Sequence, residues 1–299
     1  MAAIAKEQQE DEGFRRRLSA FLFRHPGFKL GLSLGAPLTW LLVVYIGSLL
    51  FLLANAFWSL DVLTSQIVRG FSFNNFQTLW ENGVYRTITI RTLGIAAAVT
   101  ITDIVLSFPL AYYAARLATP RVRNALLVAV VIPLWANYLV RVFAWKIMLT
   151  PNGFVDWLAE LTGLGHLQLG NSNWAVWLTF VYLWLPFTLL PIYAALERVP
   201  DSYLEASSDL GGRSGTTFRR VIFPLALPAV VAGSIFTFSL TLGDYIVPNV
   251  VSNVQFIGNV IQVNQAQNLP LAAAYSMVPL AIMVAYLLVA RRLHAFEAL

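Results

Sequence analysis

The chain has 299 residues, 58% of them hydrophobic and 12% charged, whereas soluble proteins run nearer 45–50% and about 25%. With a mean hydropathy of +0.67, there is too little charge to clothe a water-soluble surface, and the same figures exclude a disordered chain. Twenty Lys and Arg against fifteen Asp and Glu leave a net charge of +5; cysteine is absent, which rules out disulfides, thiolate metal sites and a cysteine nucleophile.

Residues 1–30 form a polar, basic tail. Within it Phe14, Leu18, Phe21 and Leu22 recur at helical spacing, Arg15, Arg16, Arg17 and Arg24 fill the other face, and Pro26 stops the run. That pattern predicts a short amphipathic helix lying on a membrane surface. From residue 31 onward the chain reads as an all-α membrane domain, 31–299. A bilayer core of about 30 Å needs about 20 apolar helical residues, and six stretches qualify, near 32–54, 94–113, 124–148, 174–196, 226–247 and 271–290. The first lies too far in and is too long for a cleaved signal peptide. Pro37, Pro109, Pro133, Pro186, Pro191, Pro228 and Pro279 sit in or at the ends of these stretches and predict kinks.

Charge gives the orientation. Lys6, Arg15, Arg16, Arg17, Arg24, Lys29, Arg116, Arg121, Arg123, Arg198, Arg213, Arg219, Arg220, Arg291 and Arg292 fall on one side of a six-span arrangement, against Arg69, Arg86 and Arg91 on the other. The positive-inside rule then places both termini in the cytoplasm.

Two carboxylates interrupt the spans, Asp103 in the second and Asp244 near the outer end of the fifth. Each costs on the order of 2.5–3.5 kcal/mol to insert, so each should face the bundle interior or water. For Asp244 an ion pair with Arg141 or Lys146 of the third span is one expectation; Asp103 is expected to cap a neighbouring helix or line a path. Trp135, Asn137, Tyr138 and Trp145 add aromatic and amide surface to the third span, and Tyr245 follows Asp244. Aromatic faces attract ammonium groups, though packing and belt anchoring use them too.

The connection between the fourth and fifth spans, 197–225, is long, charged and cytoplasmic by this argument. Ser202 and Glu205 have capping-box spacing, Leu204, Ala206 and Leu210 continue a helix, and Gly211 and Gly212 offer the left-handed turn that ends it. A second helix starting near Ser214 would carry Phe218, Val221 and Ile222 into the membrane. Here the sequence resembles a known family. Glu205, Ala206, Ser207, Asp209, Leu210 and Gly211, followed by Phe218, Arg219, Pro224, Leu225 and Pro228, match the loop of permease subunits in bacterial binding-protein-dependent ABC importers. Ser207 stands where many members have alanine, and Gly212 likewise. The segments PLWANYLVRVFAWKIML, SLTLGDYIVPNVV and FIGNVIQ resemble the spermidine/putrescine-type permeases, from about Arg91 to Ala290.

The resemblance implies the type I importer permease fold in an inner membrane, with 197–225 as a coupling helix. Ser202, Glu205, Ala206, Ser207, Asp209, Leu210, Gly211, Gly212 and Arg219 would then meet a cytoplasmic ATPase dimer. It implies a second homologous permease, a periplasmic binding protein and, as cargo, a polyamine or related small amine, with an amino-acid-like or other small organic solute as the alternative. Asp103, Trp135, Asn137, Tyr138, Arg141, Trp145, Asp244 and Tyr245 would line the path or gate. The chain has no G-x-x-x-x-G-K-[ST] pattern, so ATP and Mg are expected on the separate ATPase, with no cofactor or metal in this chain and no nucleic acid as partner. A stand-alone channel or secondary transporter would leave the loop unexplained. An intramembrane enzyme would need clustered catalytic groups, but His25, His166 and His294 lie outside the spans and Asp103 and Asp244 are far apart in sequence.

Overall fold

The structure, a computed structural model, describes residues 26–61, 63–163 and 165–292. The amphipathic helix expected over Phe14–Leu22 lies outside them. The chain divides into two units, up to Asn55 and from Ala56 onward. In the first, α1 (Pro26–Trp40), a π-helical stretch (Leu41–Ile46) and α2 (Gly47–Asn55) follow one another without interruption. Ser33–Asn55 is long and apolar enough to cross a bilayer, and its large side chains, Leu38, Trp40, Leu42 and Phe51 among them, are exposed.

The second unit opens with a two-residue antiparallel pair, β1 (Ser59–Leu60) with β2 (Ile67–Val68), and α3 (Asn74–Glu81). Next comes α4 (Gly83–Tyr112), continued by a π turn (Tyr113–Leu117). This helix begins well before residue 94 because the Asn82 side chain accepts the Val84 N–H at 3.0 Å and caps it. Then follow α5 (Pro120–Trp135), α6 (Tyr138–Leu149), α7 (Phe154–Leu161), α8 (Asn173–Arg198), α9 (Asp201–Asp209), α10 (Ser214–Thr217), a π segment (Phe218–Ile222), α11 (Phe223–Gly243), α12 (Ile246–Val251), α13 (Ile257–Gln267) and α14 (Leu269–Arg292).

Among the described residues five helices are long and apolar enough to span a membrane: Ser33–Asn55, Gly83–Leu117, Asn173–Arg198, Ser214–Gly243 and Leu269–Arg292. The expected third span, 124–148, is not one straight helix. Helices α5 and α6 together qualify, but they are bent by 100° at Ala136–Asn137. Two local causes produce the break. Pro133 withholds a backbone donor from the last turn of α5, and the Asn137 carboxamide accepts the Leu139 N–H at 2.9 Å to start α6. The expected fifth span, 226–247, is also displaced. It begins at Ser214 and stops at Gly243, because the Asp244 carboxylate, just before the Tyr245 N-cap, accepts the first two N–H groups of a new short helix, α12.

Helices α4, α8 and α11 pack together as the centre of this unit. One end of the core gathers Val99, Phe180, Leu183, Trp184, Val247 and Phe256, and the other gathers Phe108, Leu189, Ile192, Leu196, Ile222 and Ala226. Lipid tails are as apolar as leucine, so close backbone approach and hydroxyl pairs hold such helices together. Both occur between α8 and α11. A β-carbon on Gly233 would lie 2.9 Å from the Thr188 Cα, and the buried Thr188 and Thr237 hydroxyls are 2.7 Å apart. At the other flank Tyr275 of α14 donates to the Tyr85 carbonyl at 3.1 Å. Near the start of α4, Arg91 donates to the Gln255 carbonyl at 3.3 Å and the Thr92 hydroxyl accepts the Ile257 N–H at 3.1 Å.

Candidate functional site

Two places in the second unit carry the residues singled out from sequence. The first is the elbow between α8 and α11. Helix α9 starts at Asp201 with Pro200 as its N-cap and no side-chain cap. The Ser202–Glu205 capping box is therefore not formed: Ser202 already lies inside the helix, where its hydroxyl has no free N–H to accept. Asp201 in the first turn is instead gripped by Arg116 at 2.8 Å, and the same guanidinium donates to the Val199 carbonyl. Arg123 lies 3.5 Å from Glu197, which also accepts from the Tyr193 hydroxyl at 2.8 Å. In the sequence Arg116 and Arg123 served only as markers of orientation; the opposite charges at Glu197 and Asp201 were the available signal that they brace the elbow's base.

The far end of α9 closes by two backbone bonds, Gly211 N–H to the Ser208 carbonyl at 2.9 Å and Gly212 N–H to the Ser207 carbonyl at 2.8 Å. This is a Schellman closure. Gly211 sits at φ +76°, and a β-carbon on Gly212 would meet the Ser207 carbonyl oxygen at 2.6 Å, so glycine is required at both positions. The Ser207 hydroxyl bonds the Thr217 hydroxyl at 2.8 Å and ties α9 to α10. Leu204 and Ser207 face inward, half-buried, while Ser202, Glu205, Ala206, Asp209, Leu210, Gly211 and Arg219 are exposed. Leu210 is 89% exposed, an unsupported apolar side chain at the tip of a charged loop.

The second place is where the two helix breaks meet. The Tyr138 hydroxyl donates to one carboxylate oxygen of Asp244, and the other oxygen accepts the Ile246 and Val247 N–H groups at 2.8 and 2.9 Å. The Tyr138 ring stacks on Trp184 with centroids 6.0 Å apart. Arg141 lies over the same ring at 6.0 Å, a cation–π contact. The expected ion pair of Asp244 with Arg141 or Lys146 is absent among the described residues: Asp244 is already committed to the start of α12 and to Tyr138, and Lys146 is exposed. Asn259 donates to the Tyr245 carbonyl at 2.9 Å and steadies the turn. Trp145 packs on Tyr182, Asn137 is spent on capping α6, and Trp135 is 89% exposed. Asp103 caps no helix. It is fully buried on α4 and neither of its oxygens has a hydrogen-bond partner among the described residues. No group of three or more metal-ligating side chains occurs among the described residues.

Residues 107–296 match the family of binding-protein-dependent transport system inner membrane components. The chain belongs to this family. As a permease subunit of an ABC importer it is 42% identical to the inner membrane ABC transporter permease protein YdcU of Escherichia coli K12, over 95% of each chain. It is 31% identical to the spermidine/putrescine transport system permease protein PotB of the same organism, over 73% of this permease and 81% of that protein. Its fold matches a bacterial ABC transporter involved in the import of the acidic polysaccharide alginate, with a TM-score of 0.70 at 16% identity, over 92% of this permease and 99% of that chain. At such identity the likeness speaks for the fold alone.

Proposed function

We propose that this permease is the non-catalytic membrane subunit of an importer driven by a separate ATPase dimer, and that α9 and its glycine turn are the part the ATPase holds. One observation carries the reading: a helix with Tyr203, Glu205 and Leu210 exposed is closed at one end by required glycines and fixed at the other by Arg116. A rigid, exposed element fits transfer of near-rigid-body motion from one subunit to another. In this reading both termini and the elbow lie in the cytoplasm, residues 1–30 form the tail, 31–299 form the permease domain, and ATP and Mg belong to the partner. A second permease related to this chain completes the path, and a periplasmic protein delivers the cargo. The likeness to PotB favours a polyamine or related small amine. The Tyr138–Asp244 junction, flanked by Arg141, Trp184 and Tyr245, is the proposed gate.

The test is uptake by the assembled importer in proteoliposomes. Glu205→Ala should lower ATP-driven uptake about tenfold, as expected for one lost charge-assisted contact at an interface, while ATP hydrolysis continues. Uptake by this chain alone, without ATP, would sink the reading.

A further inference from the structure

We propose that Arg213, Arg219 and Arg220 form a binding site for the phosphate of an anionic phospholipid, at the point where the chain returns to the membrane. From Val221 to Gly243 the sequence holds no charged residue. At about 1.5 Å per residue that stretch covers about 34 Å, enough to fill a hydrocarbon core of about 30 Å. Arg220 therefore stands at the edge of the core, in the layer occupied by lipid phosphates.

Local structure turns the arginines the right way. In the π-helical stretch Phe218–Ile222, Ile222 is buried and Phe218 packs edge-on against Phe108 and Tyr112. Arg219 and Arg220 are left exposed. With Arg213, Gly215 and Thr216 they surround an open hollow of about 740 Å³. Arg116 and Arg123 nearby in the fold each have an acidic partner; among the described residues Arg213, Arg219 and Arg220 have none.

Three cations around one hollow repel each other unless an anion sits among them. Guanidinium groups suit phosphate because they can donate two parallel hydrogen bonds to it, and the Thr216 hydroxyl supplies another donor. Basic pockets beside membrane helices take lipid head groups for the same reason. Depth selects a lipid phosphate over an acidic side chain of a soluble partner, which would approach from the water. Arg219, grouped with the coupling residues by its motif, is thereby reassigned. Through the Ser207–Thr217 hydroxyl bond a lipid held there also braces α9. The inference rests on Ser214–Gly243 being a membrane span and not on what α9 docks, so its failure leaves the coupling proposal standing.

The experiment uses the full-length chain purified in detergent and three probes: dioctanoyl phosphatidylglycerol, dioctanoyl phosphatidylcholine and inorganic phosphate. Retained lipid is read by native mass spectrometry and stabilisation by the melting temperature. Phosphatidylglycerol should bind and raise the melting temperature, while phosphatidylcholine and phosphate should do neither. Arg219→Gln with Arg220→Gln should weaken phosphatidylglycerol binding about tenfold or more, since both guanidinium groups lose their charged hydrogen bonds to the phosphate. Arg291→Gln with Arg292→Gln, which removes equal charge from the end of α14, should leave it unchanged. Arg219→Lys with Arg220→Lys keeps the charge, loses the paired geometry and should fall between; it also serves if the glutamine variant does not fold. Equal binding of phosphatidylcholine, equal loss in the α14 variant, or the same stabilisation by free phosphate would overturn the proposal. So would undiminished phosphatidylglycerol binding in the glutamine variant together with lost capture of the ATPase subunit, since that pattern marks a protein contact.

Discussion

The elbow and the junction of helix breaks are built by opposite means. At the elbow the bonds that set the shape of α9's end are local: Gly212 to Ser207, Gly211 to Ser208, Ser207 to Thr217. At the junction the defining bond joins Tyr138 to Asp244, 106 residues apart, and Trp184 and Asn259 come from two further helices. A local device survives movement of its surroundings, which suits the docking element proposed for α9. A junction assembled from four helices changes whenever those helices shift, which suits the gate proposed there.

The sharpest way to break this contrast is Gly212→Val. Its side chain would collide with the Ser207 backbone oxygen, 2.6 Å from the first added carbon, a strain of about 3 kcal/mol that the backbone relieves only by opening the turn. Affinity for the ATPase subunit should fall about a hundredfold with little change in the melting temperature, because α9 lies outside the helix core. A variant that binds the ATPase normally would show that the closure does not shape the docking surface. Tyr138→Phe should do the reverse. It removes one donor from a committed carboxylate, costing about 1–2 kcal/mol, so the melting temperature should drop by a few degrees and uptake kinetics should change, with ATPase affinity intact. The smallest effect belongs to Arg116→Gln. Its partner Asp201 is 82% exposed, so the ion pair is worth about 1 kcal/mol or less. ATPase affinity measured at rising salt should converge for the variant and the parent chain; a gap that persists at high salt would mean that the bond to the Val199 carbonyl dominates.

The same contrast explains what could be read from sequence. The charge asymmetry and the apolar runs pointed to the spans Ser33–Asn55, Asn173–Arg198 and Leu269–Arg292 within a few residues, because length and hydropathy alone define a straight span. The glycine turn after Leu210 was legible for the same reason: its chemistry lies in adjacent residues. Pro133 predicts a kink in one continuous third span, but the full 100° break at Ala136–Asn137 was not foreseen, although Asn137 was in plain view as a cap. Apolar residues continue on either side, and hydropathy does not register direction. Asp244 misled more deeply. Its nearby cations Arg141 and Lys146 invited an ion pair, whereas two backbone N–H groups and a phenol already satisfy it. Nothing in a linear sequence says which helix will break beside a carboxylate.

Helix α4 and its π turn run unbroken from Gly83 to Leu117. Near one tip Arg116 holds the root of α9; about 36 Å away along the same rod Thr92 holds the first N–H of α13, beside the turn that Asn259 and Tyr245 form. The molecule thus owns a tie-bar anchored at both faces. Were α9 pulled as the coupling proposal has it, the pull would pass to the other end along a single piece of backbone, with no sliding contact in between where the stroke would be dissipated.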